Sequence, residues 1–150
     1  MKSPIILRKG AYYLNEFWFS KAYQSLSCKT RDLLQCFITE LIWKHIKLGK
    51  RQDYAAINNG DISFTETSFR KLTSCAKETY RIGIRQLIER GIIRITYKGG
   101  SGKGDRSKYK ILCVKGIPIN EQRWRKYPEN DWLKDIPINK NYGIGKKTRF

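Results

Sequence analysis

Apolar residues recur at helical spacing in two long stretches of the chain and at strand spacing in two shorter ones. Tyr80, Gly83, Ile84, Leu87 and Ile88 fall at i, i+3, i+4, i+7 and i+8, the spacing of one apolar helix face. Glu78, Arg81, Ile82, Arg85 and Glu89 lie opposite, with Lys77 at the edge of the first turn. Gly91 suits the residue just past a helix, where positive φ is needed, and Arg90 suits the negative end of the helix dipole. The β-branched residues Ile92, Ile93 and Ile95 follow at once, so the pattern predicts that a helix stops here and a strand begins. Upstream, Thr65 is placed to cap a shorter helix with Phe69 and Leu72 on its inner side, and Thr73-Ser74-Cys75-Ala76 is left as the turn. Two helices joined by so short a turn have helix-turn-helix geometry.

Beyond Gly91 the period changes to two. Ile93, Ile95 and Tyr97 alternate with Arg94, Thr96 and Lys98, and Tyr109, Ile111 and Cys113 alternate with Lys110 and Leu112, so both segments read as strands burying one face. Gly99-Gly100-Ser101-Gly102-Lys103-Gly104-Asp105-Arg106-Ser107 joins them. Its four glycines predict a mobile tip of low bulk, from which Lys103 and Arg106 can reach phosphates. Toward the N-terminus, Phe17, Trp18, Phe19 and Tyr23 predict an aromatic cluster. Ser27 or Lys29-Thr30 then opens a helix through Leu33, Leu34, Phe37, Ile38, Leu41, Ile42 and Ile46, the third member of a helical bundle. His45 is read as a residue on the face of that helix. Asn58-Asn59-Gly60 signals a turn, after which residues 61–64 are expected to form a short strand completing a three-stranded sheet.

Charge adds a partner class to this outline. The 150 residues carry 31 basic and 13 acidic side chains, a net charge of +18. Residues 61–115 hold 13 of the basic and 5 of the acidic ones, so the densest positive charge coincides with the helix-turn-helix and its hairpin. Such an excess points to nucleic acid, with a solubilising, ribosome-associated or membrane-surface role as the plainer readings.

With these residues in place the chain resembles the winged helix-turn-helix family. Within it, the likeness is to small proteins of phages, plasmids and other mobile elements that share a pattern like Asn58-Asn59-Gly60-Asp61-Ile62-Ser63-Phe64 before the first helix. The resemblance covers about half of the chain and rests on residue types rather than a signature motif. It implies an α+β, mainly α fold: a three-helix bundle with a small antiparallel β-hairpin wing. It also implies that the second helix enters the major groove while the hairpin touches backbone or minor groove. By position, base contacts fall to Lys77, Glu78, Thr79, Arg81 and Arg85, and backbone contacts to Arg70, Lys71, Lys103, Arg106 and Lys108. Ala76 departs from the family, which often has a serine or asparagine cap there.

Other chemistries find little footing. Cys28, Cys36, Cys75 and Cys113 include no Cys-x-x-Cys pair, and His45 is the sole histidine, so the spacing is wrong for common zinc sites and reduced, structural thiols are expected. The glycine loop fails as a phosphate-binding loop, because Gly102-Lys103 is followed by Gly104, Tyr97 stands five positions before Gly102, and no helix follows directly. Scattered carboxylates and a lone histidine leave no catalytic constellation, so neither an enzyme nor a cofactor is expected. No stretch approaches the length of a bilayer span, and residues 1–14 lack a secretory pattern, so the expected location is cytoplasmic, with the nucleoid.

The organisation expected is an N-terminal arm over 1–26, a DNA-binding domain over 27–115 and a basic, aromatic extension over 116–150. In the extension Trp124, Tyr127, Trp132 and Tyr142 interleave with arginines and lysines, a composition that suits docking onto the domain, stacking on single strands, or recruitment of replication or transcription machinery. The partner expected is double-stranded DNA, with a homodimer open and no membrane. The functional expectation is sequence-specific duplex binding by a transcriptional regulator of a phage or mobile element. A replication initiator that recruits a helicase or its loader, and a nonspecific DNA- or RNA-binding protein, are the alternatives.

Overall fold

The computed structural model describes residues 7–9, 14–100, 102, 104–130 and 132–135. Lys103 and the 136–150 part of the extension, with Tyr142, lie outside them. The fold is mixed α+β and mainly helical. Its elements in chain order are β1 (Leu7–Lys9), α1 (Asn15–Trp18), α2 (Lys21–Gln24), α3 (Cys28–Thr39), β2 (Ile42–Leu48), β3 (Arg51–Ala56), α4 (Glu66–Thr73), α5 (Lys77–Glu89), β4 (Ile93–Tyr97) and β5 (Lys108–Ile111). Three 3-10 turns follow, over Ile119–Glu121, Arg123–Lys126 and Trp132–Asp135.

α3 opens where Ser27 accepts a hydrogen bond from the Thr30 amide at 3.3 Å. It ends earlier than its apolar period predicts. Residues Ile42–Leu48 form β2, at the centre of an antiparallel sheet of order β1-β2-β3. Ile38, Leu41 and Ile42 satisfy a helical period, but from Ile42 the run is rich in β-branched and aromatic residues. It is closed by a two-residue hairpin loop, Gly49-Lys50, between Leu48 and its partner Arg51, with Gly49 at φ +63°, the glycine-first pattern of such loops. Ile42 and Ile46 are therefore strand residues. His45 is one too, its ring 5.2 Å from that of Tyr54 across the hairpin. Asn58 locks the junction, accepting from the Ile42 amide at 2.8 Å and donating to the Glu40 carbonyl at 2.9 Å.

β4 and β5 form the expected antiparallel hairpin, pairing Ile93 with Ile111 and Ile95 with Tyr109, with an irregularity between Ile95 and Tyr97. The third strand expected over 61–64 is reduced to a single bridge from Ile62 to Tyr109. Asn59 supplies the rest, donating to the Ile111 carbonyl at 2.8 Å and accepting from the Ile111 amide at 2.7 Å. A side-chain amide thus stands in for a strand's backbone.

The core lies between α3, α5 and the hairpin, with Leu33, Leu34, Phe37, Phe69, Ile84, Leu87, Tyr109 and Ile111 buried. It draws on both flanks of 27–115 as well: Phe17, Ala22, Leu26, Ile117 and Trp124 are buried in the same cluster. Trp124 stacks edge-on to Phe17 at 5.3 Å and donates from its indole to the Leu112 carbonyl at 3.0 Å, so this part of the extension is docked. Three apolar expectations shift. Leu72 is 68% exposed and Phe19 81% exposed rather than inside, and Trp18 touches the Tyr23 ring while remaining 58% exposed.

Candidate nucleic-acid interface

α5 is held from behind, which fixes what its outer face presents. Ile84, Leu87 and Ile88 are buried against the core. The Tyr80 hydroxyl donates to the Phe64 carbonyl at 2.6 Å, and burial beside Glu66 pushes that phenol above its ordinary pKa. At the far end Arg90 donates from Nε to the Ser25 hydroxyl at 2.8 Å, and Gly91 takes φ +72° to lead into β4. Ala76 begins the helix with no side-chain cap.

The turn before α5 is tight. α4 starts with the expected Thr65 cap, whose hydroxyl accepts from the Ser68 amide at 3.2 Å. Thr73 belongs to α4, its hydroxyl donating to the Phe69 carbonyl at 2.9 Å, so the turn is Ser74-Cys75-Ala76. Ser74 takes the left-handed conformation at φ 53° and donates its amide to the Arg70 carbonyl at 2.8 Å. Arg70 in turn donates from Nε to the Cys75 carbonyl at 3.3 Å. Arg70 and Lys71 line a shallow hollow with Thr67, Ser74 and Cys75, a polar, positively charged basin beside the turn.

Of the base-reading set, the helix exposes Lys77, Glu78 and Arg85, while Thr79 and Arg81 are half-buried. These side chains are not equivalent. Arg81 donates from Nη1 to Glu78 at 2.9 Å and holds Glu66 at 4.0 Å from its Nε, so its guanidinium bridges α4 and the first turn of α5. Lys77 and Arg85 are exposed and have no ion-pair partner among the described residues. Sequence reasoning also passed over Ile82, which is 51% exposed in the middle of this face. An apolar side chain on an otherwise polar helix face was the signal for it, and an exposed methyl is what a thymine C5-methyl packs against.

The hairpin loop is more organised than its glycines predict. The Asp105 carboxylate accepts from the Tyr97 hydroxyl at 2.6 Å and from the Gly100 amide at 3.1 Å, and the Asp105 carbonyl accepts from that same amide at 3.0 Å. Gly99 donates to the Ser107 hydroxyl at 3.0 Å. A Cβ at Gly99 would collide with the backbone of residues 105–107, so the two sides of the loop approach more closely there than any other residue allows. Arg106 is exposed, whereas Lys108 pairs with Asp61 at 2.8 Å, an exposed ion pair that is readily exchanged for a phosphate. Burial lowers the Lys98 amine at the loop's base to about 8. Lys103 lies outside the described residues.

No family model matches the chain, and no curated protein or solved structure does either. The reading of the site therefore rests on its own geometry. Among the described residues no group of three histidine, cysteine or acidic side chains is placed to hold a metal, and no helix is long and apolar enough to cross a membrane. All four cysteines are free thiols: Cys36 and Cys113 are buried, which raises their pKa, while Cys75 is half-buried and Cys28 exposed.

Proposed function

We propose that the protein is a sequence-specific reader of double-stranded DNA whose α4, α5 and β4–β5 hairpin work as a winged helix-turn-helix, and that it acts as a transcriptional regulator of a phage or mobile element. The observation that carries this reading is the outward face of α5. There Lys77 and Arg85 stand exposed without acidic partners among the described residues, on a helix braced from behind by Tyr80 and Arg90. Rigid backing matters because bidentate base contacts tolerate little misplacement. Further exposed cations, Arg70 and Lys71 on α4 and Arg106 and Lys108 on the hairpin, suit phosphate contacts that set register without reading sequence.

Within this reading the residues divide the work. Arg85 meets a guanine edge, Ile82 packs on a thymine methyl, and Arg81 reads a base while Glu66 and Glu78 hold its guanidinium. Glu78 is repelled by phosphates, so it either accepts from a cytosine amine or keeps Arg81 aimed. The origin in a phage or mobile element rests on the resemblance of residues 58–114 alone.

The deciding experiment is selection of bound duplexes from a random DNA library near physiological salt, followed by sequencing. Enrichment of one palindromic motif supports a regulator. Several direct repeats at one locus would replace that role with origin marking. Binding that enriches nothing and vanishes as salt rises would defeat specific reading altogether.

A further inference from the structure

The β2–β3 hairpin carries a concentration of charge that neither α5 nor the β4–β5 hairpin accounts for. Residues 42–56 hold Lys44, Lys47, Lys50 and Arg51 against one acidic residue, Asp53. Asp53 is turned to the body of the molecule, where its carboxylate pairs with Lys115 and also accepts from the Tyr54 amide at 2.8 Å. With Ile46 and Ile117 it walls a hollow of about 410 Å³ between the hairpin and residues 115–117, so the inner half of the hairpin is braced. The outer half is left to solvent. Lys47 and Lys50 are exposed and Lys44 is half-buried, and none of the three has an acidic partner among the described residues. Arg51 opens β3 in register with Leu48, beside the tight Gly49-Lys50 loop. The one carboxylate of the hairpin is thus turned inward, and the described side chains of its tip, Lys47 and Lys50, are both cations.

Lysines gathered on so short a segment repel one another, and a polyanion relieves that repulsion. Two features select the polyanion. First, the hairpin offers no exposed ring among its described residues: Trp43 is buried, and His45 and Tyr54 are half-buried with their ring centroids 5.2 Å apart across the strands. Single strands are gripped largely through bases stacked on such rings, so this surface suits a duplex, whose bases already stack on one another. Second, a two-stranded antiparallel ribbon fits a duplex groove, which brings cations at its tip to the phosphates of the groove walls. We propose that the β2–β3 hairpin is a second contact for duplex DNA, with Lys47 and Lys50 holding phosphates additional to those met by α5 and the β4–β5 hairpin. The contact is one of charge and reads no sequence. It rests on the reading of the chain as a duplex binder, but not on which bases α5 reads.

The test has two readouts on the full chain. In the first, wild type and the double variant Lys47→Ala, Lys50→Ala are titrated with a scrambled duplex between about 50 and about 200 mM salt. The double variant is expected to lower the log-log slope by about two, to weaken every duplex alike and to keep the preference for the selected sequence. In the second, the wild-type chain is acetylated with acetic anhydride, free and bound to the same duplex, and its lysines are followed by mass spectrometry. Lys47 and Lys50 are expected to react in the free chain and to be protected in the complex, while Lys21, exposed on α2, reacts in both. This readout does not depend on how the variant folds. An unchanged slope overturns the proposal, as do amines that stay reactive in the complex, equal protection of Lys21, or a loss confined to single strands or to phosphatidylglycerol vesicles. A scrambled and a selected duplex bound equally well, with the hairpin slope intact, would instead defeat sequence reading by α5 and leave the hairpin contact standing.

Discussion

Gly91 stands at φ +72° between α5 and β4, where a Cβ would lie 2.5 Å from the Cβ of Arg123 and 2.9 Å from the backbone nitrogen of Trp124. The positive φ was legible in the sequence, because a helix period ends and a β-branched run begins around this glycine. The contact with residues 123 and 124 was not, since nothing local announces that the extension folds back onto the end of α5. Both act against any side chain: left-handed backbone costs an L-residue about 1 to 2 kcal/mol, and an overpacked contact costs about 1 to 3 kcal/mol more. Gly91→Ala is expected to lose about 2 to 4 kcal/mol in urea unfolding. Lys98 makes a prediction of opposite sign. Burial lowers its amine from 10.5 to about 8, so folding disfavours the charged form. That penalty is full below about pH 8 and vanishes above the unfolded value, where the amine is neutral in both states. Stability is therefore expected to rise with pH between 8 and 10.5. Lys98→Met should remove this part of the rise; equal pH profiles for the two proteins would contradict it.

Elements were legible where their signals are local. α4 carries a cap at Thr65, α5 an apolar period closed by Gly91, and the hairpin an alternating pattern on either side of its glycine loop, each signal within a few residues; the structure forms all three close to expectation, except that β5 stops at Ile111, two residues before Cys113. β2 was misread because Leu34, Phe37, Ile38, Leu41 and Ile42 repeat as a helix does, while the evidence against a helix is long-range: β1 pairs with residues 42–44 from the other end of α3. The same distance hid Asn59, whose side chain completes the ladder of β5 from 52 residues away. Removing it leaves the backbone amide and carbonyl of buried Ile111 without these partners. Asn59→Ala is expected to cost about 2 kcal/mol or more, since each of the two unsatisfied buried groups costs about 1 to 3 kcal/mol. Thermal or urea unfolding measures it, and a loss below about 0.5 kcal/mol, the scale of ordinary surface changes, would mean that the side chain only accompanies the hairpin.

Over the whole molecule, net charge speaks for a nucleic-acid partner but does not separate side chains that read from side chains that hold. The candidate site was legible to the same extent: periodicity put Lys77, Glu78, Arg81 and Arg85 on one face, but it carried no sign that Glu66 and Glu78 bind Arg81 or that Lys108 meets Asp61. Salt makes the separation. Each phosphate contact releases condensed counterions, so its loss changes the slope of affinity against salt, whereas a base contact changes affinity on one sequence and leaves the slope alone. If roughly six cations meet phosphates, affinity falls about a thousandfold between about 50 and about 200 mM salt. Arg106→Ala is expected to lower the log-log slope by about one and to weaken every duplex alike. Arg85→Ala is expected to keep the slope and to lose about 1 to 3 kcal/mol on the selected sequence only. Lys108→Ala should fall short of a full unit, because Asp61 is then freed from an ion pair that the wild type must break on binding. Titrations of the three variants on selected and scrambled duplexes, at several salt concentrations, test the assignment directly. If Arg85→Ala shifts the slope and spares the sequence preference, α5 lies along the backbone and another element does the reading.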